Sequence, residues 1–168
     1  MSTPETTASP SVSSPSFRRI LVPLDGSPPA EAALPFASRL ARPLGLEIVL
    51  LRVVAVTTPT IVEGRRPIVV DEGQQLAQQA EDYLRGVADR VRADGVQVSI
   101  AVRTGDAAAQ IVAGARESQA ELIGMTTHRR TALGRLFFGS VAEAVLRRAD
   151  VPVLVVRDTE AQPARRAA

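Results

Sequence analysis

Short apolar runs alternating with helical segments along most of the chain restrict the fold more than any other feature of this sequence. Ile20-Leu21-Val22-Pro23-Leu24 is a continuous apolar run, the pattern of a strand buried on both faces. Asp25-Gly26-Ser27 ends it, and Ser27 before Pro28 reads as an N-cap with proline at the first helical position. Ala33, Leu34, Ala37, Leu40 and Ala41 then predict a helix from about Pro28 to Arg42, stopped by Pro43 and Gly45. Leu46 to Val54 is a second buried strand, interrupted by Glu47 and Arg52. Residues 55–70 contain Pro59, Gly64 and Pro67, and a connection of that length reads as a lid or mobile loop. An amphipathic helix is expected from Asp71 to Ala93, opened by a capping box of Asp71 and Gln74.

Val96, Val98, Ile100 and Val102 alternate with Gln97, Ser99, Ala101 and Arg103, which marks an edge strand with one wet face. Gly105-Asp106 opens a short helix ending near Ser118, and Glu121 to Met125 is the fourth strand. A polar, basic loop follows from Thr126 to Phe138. Gly139-Ser140 starts a last helix through Ala149, with Ser140 and Glu143 as a second capping box, and Val151–Val156 is the fifth strand. The fold class is therefore α/β, a doubly wound parallel sheet with helices on both faces. Such sheets bind ligands beyond the strand C-termini where the strand order reverses, here the loops after strands one and four. Residues 18–157 form the domain, flanked by a disordered Ser/Thr/Pro-rich tail over 1–17 and a flexible tail over 158–168.

Absences narrow the chemistry. All 20 basic residues are arginine and no cysteine is present, which excludes thiol catalysis, thiolate metal sites, lysine P-loops and Schiff bases. It also excludes the usual phospho-receiver domain, which relies on a lysine. One histidine leaves no common all-protein zinc site. Acidic residues are interspersed among the arginines, so no concentrated basic face for nucleic acid is expected. No apolar run reaches bilayer length and the N-terminus lacks the pattern of a secretory signal, so the expected address is cytoplasmic, with no membrane partner.

Two turns carry the candidate site. Asp25, Gly26 and Ser27 sit at a helix start, and the anionic Asp25 suits a ribose hydroxyl or base amine better than a phosphate. The bland reading, in which Asp25 and Ser27 merely cap the helix, stands beside it. Gly139 and Ser140 open another helix, with His128, Arg129, Arg130 and Arg135 nearby in sequence as positive charge. A solvated basic loop leading into a capped helix would look the same. No G-x-S-x-G elbow exists and His128 has no evident orienting carboxylate, so an enzyme is not expected.

Ile20-Leu-Val-Pro-Leu-Asp-Gly-Ser27 and the segment from Met125 through Gly139-Ser140 to Val151-Pro152-Val153 and Val156 resemble the first turn and the C-terminal signature of the universal stress proteins. The resemblance spans about Arg18 to Arg157. It implies a Rossmann-like five-stranded sheet of order 3-2-1-4-5, a stress-response role, and a homodimer paired through Val151–Val156. It also implies an ATP site whose base and ribose lie by Pro23, Leu24, Asp25 and Val53. Met125, Thr126 and Arg129 would stand near the ribose and phosphates, and Gly139, Ser140 and Val141 would hold the phosphate tail. Mg²⁺ or Mn²⁺ would be carried mainly by the phosphates, and any ATP hydrolysis would be slow and incidental. ATP-binding members carry Gly-x-x-Gly-x₉-Gly-Ser. Gly139-Ser140 matches, whereas Thr126 and Arg129 replace the first two glycines. Two readings stay open: a nucleotide-binding dimer, or a nucleotide-free scaffold for protein partners.

Overall fold

A computed structural model of the protein describes residues 17–55, 72–127 and 139–157. The elements run β1 (Arg19–Pro23), α1 (Pro28–Glu31), α2 (Leu34–Leu44), β2 (Glu47–Val54), α3 (Glu72–Ala93), β3 (Gln97–Thr104), α4 (Ala107–Glu117), β4 (Leu122–Thr127), α5 (Ser140–Arg148) and β5 (Val153–Arg157). The strands form one five-stranded sheet of order β3-β2-β1-β4-β5, and every neighbouring pair is parallel. The order expected from the resemblance is the order observed.

Side-chain alternation on the strands divides the core into two layers. Ile20, Val22, Ile48 and Leu50 face α1, α2 and α3, where Leu34, Leu84 and Val87 cover them. Leu21, Val49, Leu51 and Ile123 face α4 and α5, where Ile111 and Val145 close over them. β1 lies at the centre, with Leu21 and Val22 fully buried. Between β1 and β4 the winding changes direction. That is the switch point.

Five local expectations are corrected. The helix expected over Pro28–Arg42 is two helices, because Pro35 has no N–H and its ring opposes the Glu31 carbonyl. Pro43 does not stop the second one; it lies in its last turn, and Gly45 at φ 64° ends it. Thr126 and Thr127 belong to β4 and are buried, so the loop begins after them. Ser140 is not the cap of α5: Gly139 takes that place and no side chain caps the helix, so the second capping box does not form. β5 starts at Val153, two residues later than expected, and reaches Arg157. The lid over 55–70, the Asp71 cap, His128, Arg129, Arg130, Arg135 and both tails lie wholly or almost wholly outside the described residues.

The lower rim of the sheet is held by carboxylates. Glu121 Oε2 accepts the backbone N–H groups of Arg18 at 2.7 Å and Arg19 at 3.0 Å. These bonds, that of Arg18 foremost, hold its carboxyl below the ordinary 4.5. Hydrogen bonds from Ser99 and then Arg19 do the same for Glu47. A depressed folded pKa adds stability that is complete above the unfolded value and vanishes as pH falls through the folded one. Glu121→Gln should therefore lower the melting temperature at neutral pH, and the gap to the unmodified chain should close as the pH falls below the ordinary carboxylate range. Melting curves across that range read this directly, and a gap independent of pH would contradict it.

Candidate functional site

A cavity of about 250 Å³ opens at the switch point, above the C-terminal ends of the strands. Pro23 and Leu24 end β1 on one side, and Met125 and Thr126 near the end of β4 form the other. Leu51 and Val53 on β2, with Ala107 and Ile111 on the first turns of α4, supply an apolar wall. The rim is completed by Asp25 and by Gly139, Ser140, Val141 and Ala142 at the start of α5. Nine of the ten residues that the resemblance assigned to a nucleotide thus border one space, Gly26 and Ser27 do not line it, and the tenth, Arg129, is outside the described residues.

The sequence fixes each wall locally. At the β1 turn, Asp25 Oδ1 accepts the Ser27 N–H at 2.8 Å and Ser27 Oγ accepts the Ala30 N–H at 3.4 Å, so both residues do brace the helix start. This bracing leaves Asp25 at the cavity rim. Among the described lining residues it is the one charged side chain. Gly26 between them has φ 85°, a left-handed conformation that favours glycine. On the far side α5 begins without a side-chain cap, which leaves its first N–H groups and the partial positive charge of its end without a side-chain acceptor where Gly139 to Ala142 border the cavity. α4 differs, because the Asp106 carboxylate takes the Ala109 N–H at 2.9 Å. The cavity therefore pairs an apolar slot with a carboxylate on one rim and an uncapped helix start on the other. That arrangement suits a flat apolar ring carrying hydroxyls and an anionic tail.

Among the described residues no group of three or more His, Asp or Glu could hold a metal ion. None of their helices is long and apolar enough to cross a membrane. Sequence reasoning missed Ala30, Leu51, Ala107, Ile111 and Ala142 as lining residues. The i, i+4 pair Ala107 and Ile111 on a helix crossing the switch point was the available signal. Thr126, the first replaced glycine, is only 9% exposed and borders the space.

Comparison with known proteins agrees with the architecture. The profile of the universal stress protein family matches residues 16–157. Universal stress protein MJ0531 of Methanocaldococcus jannaschii is 31% identical over 144 residues, 84% of this chain and 82% of that one. A solved protein of the universal stress protein family from Burkholderia pseudomallei superposes with a TM-score of 0.60 at 27% identity, covering 85% of this chain and 98% of its own. A universal stress protein from Archaeoglobus fulgidus, solved in complex with dAMP, superposes with a TM-score of 0.58 at 24% identity, covering 83% and 97%. With the profile spanning the whole described sheet, the chain belongs to the universal stress protein family.

Proposed function

We propose that the switch-point cavity binds an adenine nucleotide, and that the protein is a dimeric, non-enzymatic stress-response module whose partners depend on occupancy of that site. The observation that carries this reading is the cavity itself, apolar between β1 and β4, with Asp25 on one rim and the uncapped α5 start on the other. The base would lie against Pro23, Leu24, Val53 and Met125, the ribose beside Asp25, and the phosphates at Gly139, Ser140 and Val141, with Thr126 beneath. The dAMP carried by the Archaeoglobus fulgidus protein belongs to this ligand class. With ATP, Mg²⁺ or Mn²⁺ would ride on the phosphates, since Asp25 is the only carboxylate among the described lining residues.

A dimer fits the free edge of β5. Pro152 O accepts the Ile123 N–H, so alternation turns the backbone groups of Val153, Val155 and Arg157 outward, and Leu154 is 37% exposed. A monomeric mass in sedimentation equilibrium removes that pairing. The address proposed is the cytoplasm, and fractionation with antibody detection reads it; recovery with membranes or outside the cell counts against it.

Thermal shift with AMP and Mg-ATP tests the nucleotide reading. Near 100 Kd a ligand adds about 2.7 kcal/mol, a rise of roughly 5–10 °C for a chain of this size. No shift at millimolar ligand rejects it. The second reading, a nucleotide-free scaffold, is favoured by the buried Thr126 side chain at the cavity wall. Under it, a Thr126→Gly and Arg129→Gly double variant gains an affinity that the unmodified chain lacks.

A further inference from the structure

Arg52 interrupts the apolar run that begins at Ile48 in β2, and its neighbours show where the charge goes. By alternation with Ile48 and Leu50 it projects from the face of β2 opposite the cavity. Its guanidinium stacks over the Tyr83 ring on α3, 4.9 Å from the centroid. The Nη1 edge of the guanidinium meets the β1 turn: a Cβ built on Gly26 would lie 2.5 Å from Nη1 and 3.2 Å from Cζ. The ring is itself pinned, because Tyr83 Oη donates to Glu31 Oε1 at 2.8 Å and Arg90 donates to Glu31 Oε2 at 2.6 Å. Burial, and then the bond to Glu31, push the Tyr83 hydroxyl well above its usual value, so it stays protonated.

We propose that Arg52 is the positioning residue for Asp25. Its planar cation is a wedge between a fixed aromatic ring and the glycine that follows Asp25. The wedge sets the height of the turn, and with it the direction in which the Asp25 carboxylate meets a ribose hydroxyl. Flatness is the required property as much as charge, because the cation must cover the ring with its face while its Nη1 edge reaches a backbone lacking Cβ. The proposal rests on the nucleotide reading for its ligand but not for its geometry.

The test therefore has a ligand-free arm. In Arg52→Met the Ser27 amide, which bonds Asp25 Oδ1, should exchange about tenfold faster with solvent, since the local opening becomes easier. The Ala109 amide, bonded to the Asp106 carboxylate at a helix start on the other face of the sheet, should not change. Arg52→Lys should behave as Arg52→Met, because an ammonium cannot replace the flat stack. Tyr83→Leu, which removes the ring and leaves Arg52, should move Ser27 in the same direction. In the ligand arm, Arg52→Met should collapse the ratio of affinities for adenosine and 3′- or 2′-deoxyadenosine monophosphates toward one, which a uniformly loosened protein would not do. Unchanged Ser27 exchange, equal acceleration at Ser27 and Ala109, or rescue by lysine overturns the inference. A protein that binds no nucleotide yet shows the Ser27 effect rejects the ligand reading alone.

Discussion

Gly26→Ala should destabilise the protein by about 2–4 kcal/mol. Two separate costs add. At φ 85° an L-residue is strained by roughly 1–3 kcal/mol. The new Cβ would also stand 2.5 Å from Arg52 Nη1, so the end of that side chain must shift on the Tyr83 ring, which weakens the stack by about 0.5–1 kcal/mol. Urea denaturation measures the sum. Combining Gly26→Ala with Arg52→Ala separates the terms, because the crowding disappears while the strain stays. The double variant should be more stable than additivity predicts by about 1 kcal/mol. A Gly26→Ala protein within about 0.5 kcal/mol of the unmodified chain would mean that the turn is not held as described.

Val53→Trp should abolish nucleotide binding without unfolding the chain. Val53 is half-buried, and its exposed side faces the cavity, so an indole there fills the slot assigned to the base. A strand accommodates aromatic residues well, and the change in stability should stay within about 1 kcal/mol. Affinity should fall at least about 100-fold, or some 2.7 kcal/mol. Calorimetric titration beside a melting curve reads both quantities. Retention of affinity within about threefold would put the nucleotide elsewhere.

The sheet could be read from the sequence because its signal is local. A run such as Ile20–Leu24 needs no partner to be recognised as a buried strand, and Gly45 marks a helix end on its own. Pro35 was the residue that the periodicity concealed. Ala33, Leu34 and Ala37 keep one helical face across the break, so the pattern looks continuous while the missing N–H divides it. Ser140 misled for a related reason. A serine with an acid three residues later is what a capping box requires, yet the chain places Gly139 at the cap and leaves the helix start open. At the site, Asp25 and Gly139-Ser140 were visible because turn chemistry is short-range. The Arg52–Tyr83 stack joins residues remote in sequence, and no spacing rule reports such a contact. The arginine inside β2 was nevertheless a hint, since a charge in a central strand must find a partner.

A crystal structure of the protein grown with AMP is the most direct trial. The account predicts the adenine ring between Val53 and Met125, a ribose hydroxyl on the Asp25 carboxylate, and the phosphate on the backbone N–H groups that open α5. Nucleotide bound at another surface, or a saturated crystal whose cavity holds only solvent, would contradict it.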